Sequence, residues 1–154
     1  MAGVVELELP ARPEYLAIAR LVVCASAQAD ASFDEDRIAD LRLAVSEACT
    51  NAMEATWHAA GVSAPFADDD PAMAKMAPIF VRCSAGDGRV EVDVSDHGSG
   101  FDPSLLVVHP PATDPARLDH ERGLGIPLIR ILADEVRFWP SAEGTVVRMV
   151  LEAG

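Results

Sequence analysis

Positive charge is scarce in this sequence. Its 154 residues include 12 lysine and arginine residues against 25 aspartate and glutamate residues, which gives a formal net charge of -13, and Lys75 is the only lysine. Because proteins bind nucleic-acid backbones through clustered positive charge, we expect no direct nucleic-acid partner. The same charge opposes docking on an anionic membrane surface, so we expect no membrane partner either.

Long apolar runs and paired cysteines are also missing. No apolar stretch approaches the roughly 18 residues of a membrane span, and the acidic N-terminal segment, which has no basic residues, does not read as a signal peptide. Cys24, Cys49 and Cys83 lie in apolar contexts without CxxC spacing, which favours buried core residues over a disulfide framework or a zinc site. We therefore expect a cytoplasmic protein.

Several common nucleotide-binding and catalytic patterns are absent too. The sequence has no G-x-x-x-x-G-K-[ST], no strand-linked G-x-G-x-x-G and no H-R-D with D-F-G, which excludes P-loop, Rossmann and eukaryotic-type kinase sites. The four histidines show no metal-ligand spacing, and no serine has a nearby His-Asp arrangement. Any nucleotide site in this chain must therefore belong to a class other than these three.

The length is that of one ordinary domain, which we place over residues 1–154. Hydrophobic periodicity predicts the order β-α-α-β-β-α-β-β. Strands are predicted at 5–9, 79–85, 90–95, 135–139 and 145–151, and helices at 13–28, 33–57 and 126–133. Ser32, followed three residues later by Glu35, forms a capping-box pattern at the start of the second helix. Residues 61–78, with three prolines, are predicted to be a flexible insertion. Antiparallel strands with a few helices predict an α+β two-layer sandwich, a mixed, mostly antiparallel sheet covered on one face by helices.

The second predicted helix carries a polar stripe opposite its apolar side. Glu47 and Asn51 are one turn apart on this stripe. The amide oxygen of Asn51 is a suitable hard ligand for Mg²⁺, and Glu47 is placed to accept a proton from a nucleophile beside that metal. A solvated polar stripe is the alternative interpretation.

A second segment follows the strand at 90–95. Asp96 ends that strand, and a carboxylate there can accept a hydrogen bond from an exocyclic amine such as adenine N6. Gly98 and Gly100 allow the backbone to approach a ring or a phosphate, and Phe101 could form the floor of the site. The alternative is a glycine-rich turn that only joins a strand to a loop.

A third segment, Gly123-Leu124-Gly125, precedes the last helix. Backbone N–H groups and the positive dipole end at a helix N-terminus favour anions. Arg122 could reach a terminal phosphate with two hydrogen bonds. The loop 104–122 is therefore a candidate lid, although glycines before a helix also serve as a flexible entry.

The three segments together resemble the N, G1 and G2 boxes of the GHKL (Bergerat) ATPases. They read Arg42-Leu-Ala-Val-Ser-Glu-Ala-Cys-Thr-Asn-Ala, Asp96-x-Gly-x-Gly-Phe-Asp and Arg122-Gly-Leu-Gly-Ile-x-Leu-Ile. Within that group the chain is similar to the anti-sigma factor serine/threonine kinases of the RsbW type, over roughly residues 5 to 151. Such proteins are bacterial, cytoplasmic and commonly dimeric. They hold a sigma factor inactive and phosphorylate a serine or threonine of a small STAS-domain anti-anti-sigma antagonist.

The resemblance implies a role for each matching position. Asn51 would coordinate Mg²⁺, Glu47 would be the general base, and Asp96 would read adenine. The remaining cofactor-binding positions that the resemblance implies are Gly98, Gly100, Phe101, Arg122, Gly123, Leu124, Gly125 and Thr145, of which Thr145 would support the adenine contact. The chain departs from the family in its insertion at 61–78 and in Ala55, where relatives often have histidine. Two other functions stay open: a non-catalytic ATP-binding anti-sigma protein, and a detached ATPase domain of a histidine kinase.

Overall fold

The computed structural model describes residues 3–62, 76–97, 125–141 and 144–154. These residues form the predicted order of strands and helices, with a short 3₁₀ turn at Pro13–Tyr15 before the first helix. The strands are β1 (Gly3–Leu9), β2 (Ile79–Gly86), β3 (Arg89–Ser95), β4 (Glu135–Ser141) and β5 (Gly144–Glu152), and the helices are α1 (Leu16–Gln28), α2 (Glu35–Ala60) and α3 (Gly125–Leu132).

The strands form one sheet in the order β1-β2-β3-β5-β4, and every neighbouring pair is antiparallel. The register places Val81 opposite Val94, and Val94 opposite Val147. Since side chains alternate along a strand, these residues share one face, and all three are buried. Helices α1 and α2 pack on this face, so the predicted α+β sandwich is confirmed.

Helix α2 supplies most of the helical core. Its apolar positions recur at helical spacing and are nearly or completely buried: Ile38, Leu41, Val45, Ala48 and Ala52. The three cysteines are also buried and unpaired, as predicted. Burial raises the pKa of the Cys49 thiol to about 12 and that of the Cys83 thiol to about 11. None of the described helices combines the length and the hydrophobicity that crossing a membrane requires.

The start of α2 differs from the prediction. The side chain of Asp34, which has an extended backbone, accepts a hydrogen bond from Arg37 N at 2.7 Å and is the N-cap. Ser32 is not the cap, because its backbone N and its Oγ both donate to Asp30 Oδ1, at 3.0 and 2.6 Å. These bonds, with a third from Gly88 N at 2.6 Å, lower the pKa of Asp30. The Ser32 hydroxyl is therefore used in the preceding turn.

The two ends of α2 are hydrogen-bonded to opposite ends of the sheet. At the N-terminal end, Arg37 Nε donates to the carbonyl oxygen of Glu152, the last residue of β5, at 2.8 Å. At the C-terminal end, the Trp57 indole N–H donates to the carbonyl oxygen of Ala11, just beyond the end of β1. The helix therefore runs antiparallel to β5 and reaches the edge of the sheet where β5 begins. It ends at Ala60, three residues later than predicted, where Gly61 adopts a left-handed φ of 73°.

Candidate functional site

The end of β3 and the beginning of β5 meet at one edge of the sheet. Asp96 follows β3 directly and is 7% exposed. Its backbone N–H donates to the carbonyl oxygen of Thr145 at 3.0 Å. Thr145 is the second residue of β5 and is 2% exposed. The two predicted adenine-contacting residues are thus neighbours in the structure.

Gly144 makes this close approach possible. Its φ is 139°, a conformation that side-chain-bearing residues rarely adopt. A Cβ atom built on it would lie 2.0 Å from the carbonyl oxygen of Asp96 and 2.9 Å from His97 Cα. Thr145 is a predicted site residue, whereas no role in the site was predicted for Gly144. A glycine at the first position of a strand is a signal of close backbone approach that could have identified it.

Two buried polar atoms at the predicted site have no hydrogen-bond partner within the part of the chain that the structure describes. They are Thr145 Oγ1 and Asn51 Nδ2. Buried polar groups in native proteins are nearly always bonded, and leaving one unpaired costs about 1–3 kcal/mol. A polar ligand at this edge would supply the missing partners. A half-turn of the Asn51 amide would present its oxygen at the same position, the donor type that Mg²⁺ takes.

Because α2 is hydrogen-bonded to the end of β5, Asn51 and Thr145 lie at about the same distance from Glu152, measured along the helix and along the strand. Arg37 is fixed beside Glu152, and Asn51 lies fourteen residues further along the helix, or about 21 Å. Thr145 lies seven residues before Glu152 on β5, or about 24 Å in the same direction. Asn51 and Glu47 are both half-buried on this part of α2. Their spacing places them on one helix face, about 6 Å apart.

Helix α3 approaches the same region from its N-terminal end. It begins at Gly125, has Pro127 in its first turn, and packs against α2, with Ile126 and Ile129 buried in the core. Its last carbonyl, from Leu132, accepts a hydrogen bond from Arg37 Nη1 at 2.9 Å. Because α3 therefore runs opposite to α2, its positive end points toward the half of α2 that carries Glu47.

The described part of the predicted site is thus Glu47, Asn51, Asp96, Gly125 and Thr145. The other predicted cofactor-binding residues lie outside the described residues: Gly98, Gly100, Phe101, Arg122, Gly123 and Leu124. The predicted lid at 104–122 lies outside them too, as does most of the predicted insertion. Within the described ranges, no group of three or more His, Cys, Asp or Glu side chains is placed to hold a metal ion. Arg37, for which no role was predicted, links α2, α3 and β5 at the opposite end of the sheet.

Comparisons with known proteins identify the family of this chain. Residues 9–151 match the family described as "Histidine kinase-like ATPase domain". The chain is 36% identical over 140 residues to the serine-protein kinase RsbW of Bacillus subtilis (strain 168), covering 88% of this chain and 78% of that protein. It is 34% identical over 146 residues to the serine-protein kinase RsbW of Bacillus velezensis, covering 92% of this chain and 81% of the relative.

A solved structure supports the fold. The crystal structure of the RsbU and RsbW domains of a Mycobacterium tuberculosis protein superposes with a TM-score of 0.61 at 20% sequence identity. The match covers 97% of this chain and 32% of that chain, so this chain spans about a third of the solved one.

Proposed function

The chain belongs to the histidine kinase-like ATPase family, and from this premise we propose that it is an Mg²⁺- and ATP-dependent protein serine/threonine kinase. The named relatives are serine-protein kinases. We further propose that it holds a sigma factor inactive and phosphorylates a STAS-domain anti-anti-sigma antagonist, as a cytoplasmic homodimer with one domain over residues 1–154. The observation that carries the proposal is the buried Thr145 hydroxyl beside Asp96, which has no hydrogen-bond partner among the described residues.

The adenine would bind at the edge formed by Asp96, Gly144 and Thr145. The Asp96 carboxylate accepts the adenine amino hydrogen, and the Thr145 hydroxyl gains the partner that the described protein residues do not supply. Gly144 allows the two strand ends to approach each other. The antiparallel bonds between β3 and β5 hold this half of the site together.

The phosphates would lie between α2 and the N-terminus of α3. Asn51 offers an amide oxygen to Mg²⁺. Pro127 has no N–H, so in the first α3 turn the N–H groups of Gly125, Ile126 and Leu128 are the ones that favour phosphate oxygens. When bound, the metal neutralises charge on the transferring phosphoryl group. We assign the residues outside the described ranges to the same site: Gly98, Gly100 and Phe101 around the nucleotide, and Arg122, Gly123 and Leu124 at the phosphates.

Glu47 would act as the general base. It lies one turn before Asn51 on the same helix face, so its carboxylate is placed on the metal side of the site. The carboxylate takes the proton of the substrate hydroxyl as the hydroxyl oxygen bonds to the γ-phosphorus, and the bond to the ADP oxygen breaks. The product is a serine or threonine phosphate and ADP.

The test is incubation of the protein with Mg²⁺, γ-labelled ATP and the STAS-domain proteins encoded beside it, followed by mapping of the labelled residue. An acid-stable phosphate on serine or threonine is the expected product. An acid-labile phosphohistidine would instead identify an ATPase domain of a histidine kinase. ATP and sigma-factor binding without transfer would identify a non-catalytic partner-switching protein.

The metal assignment has its own test. We expect that EDTA weakens ATP binding to the wild-type protein and has little further effect on the Asn51→Ala variant, because the variant has already lost the metal-dependent part of the affinity. His58→Ala, at an exposed position of the same helix, is the matched control and should respond to EDTA as the wild type does. An equal EDTA effect in Asn51→Ala and the wild type would show that Asn51 is not a ligand.

A further inference from the structure

Arg37 joins three elements at the end of the sheet opposite the adenine site. Its Nε donates to the carbonyl oxygen of Glu152 at 2.8 Å, and its Nη1 donates to the carbonyl oxygen of Leu132 at 2.9 Å. Its Nη2 bonds the carboxylate of Asp134, which also accepts from Glu152 N at 2.8 Å. We call these four residues the Arg37 anchor. The Arg37 side chain is 18% exposed, so the contacts are partly shielded from water.

The anchor fixes the C-terminal end of α3. Leu132 is the last residue of this helix, and Asp134 lies in the turn that leads to β4. The helix has eight residues, so its two ends are only about 10 Å apart. Because the helix is so short, we expect a tilt at Leu132 to displace Gly125 at the other end.

We propose that Arg37 is a positioning residue for nucleotide phosphates. By holding the C-terminus of α3 against α2 and β5, it sets the distance between the N-terminus of α3 and the polar face of α2. This inference rests on the proposed function, since it assigns the phosphates to the positive end of α3. The adenine end should not depend on the anchor, because backbone bonds between β3 and β5 hold Asp96 beside Thr145.

The experiment compares two ligands on the Arg37→Met variant, which keeps a long side chain without the hydrogen-bonding fork. ATP affinity is measured by titration calorimetry, and adenosine affinity by ligand-observed NMR. We expect the ATP dissociation constant to rise about fivefold, in the range of helix-end effects on anions, while that of adenosine stays within about twofold. Arg37→Lys, which retains the charge but cannot make the fork, should fall between the wild type and Arg37→Met.

The matched control is Arg89→Met. Arg89 lies at the same end of the sheet, and its guanidinium bonds the Glu152 carboxylate at 3.1 Å. It should leave the ratio of ATP to adenosine affinity unchanged. Should Arg37→Met fail to fold, Asp134→Asn tests the same anchor at a side chain that is 49% exposed, with a smaller change in the same direction.

The possible results distinguish a failure of the positioning role from a failure of the proposed function. Equal losses of ATP and adenosine binding, or no loss of either, in a folded anchor variant would overturn the positioning role, because a purely structural contact acts on the whole fold. Absence of ATP binding by the wild-type protein would instead overturn the proposed function itself. A selective loss of ATP binding supports both.

Discussion

Replacing Thr145 by valine should stabilise the nucleotide-free protein and weaken its binding of ATP. The Thr145 hydroxyl is buried, and within the described ranges it has no hydrogen-bond partner. Valine has nearly the same shape and the same strand preference as threonine, so the substitution removes the hydroxyl with little change in packing. The two effects have opposite signs. The unpaired hydroxyl lowers the stability of the nucleotide-free protein, whereas in the proposed complex it makes a hydrogen bond to the nucleotide.

The magnitudes follow from the cost of an unpaired group. An unsatisfied buried hydroxyl costs about 1–3 kcal/mol, so its removal should raise the free energy of unfolding by about 1 kcal/mol. For a domain of this size, that gain corresponds to an increase of about 2–4 °C in Tm. Loss of a hydrogen bond to the nucleotide should raise the ATP dissociation constant about tenfold, which is about 1.4 kcal/mol.

Thr56→Val provides the matched control for this experiment. Thr56 is as buried as Thr145, 3% against 2% exposed, but its Oγ1 donates to the Ala52 carbonyl oxygen at 2.9 Å. The same substitution there should lower stability by about 1 kcal/mol, because a bond is lost. Calorimetric scans of the nucleotide-free proteins and ATP titrations give both numbers. A lower Tm for Thr145→Val, or unchanged ATP affinity, would refute the reasoning.

Three further predictions concern the base, the strand junction and the thiols. Glu47→Gln should reduce the rate of phosphotransfer at least about 100-fold in a single-turnover assay, since the base acts on the substrate proton. The affinity for ATP should change less than about threefold. Unchanged phosphotransfer would contradict the assignment of Glu47 as the base. Gly144→Ala should destabilise the protein by more than about 3 kcal/mol in urea unfolding, because the new Cβ meets the Asp96 carbonyl. Gly61→Ala, with open space around a φ of 73°, should cost only about 1 kcal/mol. The Cys49 thiol should resist Ellman's reagent at pH 8 in the native state and react after denaturation, because burial raises its pKa to about 12 from 9.0. For the same reason, stability should fall as the pH rises above 9, where the unfolded thiol ionises and the folded one does not.

The sequence predicts what depends on local periodicity. The buried face of α2, including Leu41 and Val45, follows from spacing alone because each position is set by its own helix. The capping prediction was wrong for a local reason: Ser32 had two possible uses, and the turn at Asp30 takes its hydroxyl, which leaves the cap to Asp34. Sequence patterns do not rank such competing hydrogen bonds.

The long-range contacts could not be predicted from the sequence. The bonds of Arg37 reach residues 95 to 115 positions away, and an arginine in the first turn of a helix gives no sign of them. Gly144 is similar, since its requirement comes from the backbone of Asp96 on a neighbouring strand. Both contacts depend on strand order, with β5 inserted between β3 and β4. Periodicity predicts which elements form, and the arrangement of those elements then determines which residues meet.

The two halves of the proposed site are held together by different interactions. The adenine half is held by backbone hydrogen bonds within the sheet, where Asp96 N–H donates to the Thr145 carbonyl. The phosphate half depends on the packing of α3 against α2, on the side-chain bonds of Arg37 and, in the turn after α3, on one backbone bond from Asp134 N to the Val150 carbonyl oxygen. Side-chain bonds are more easily altered by substitution than sheet bonds, so we expect that phosphate binding can be changed without disturbing recognition of the base. In a kinase that must bind ATP and release ADP, we therefore expect the contacts between α3 and the γ-phosphate to change while the proposed adenine half keeps its arrangement.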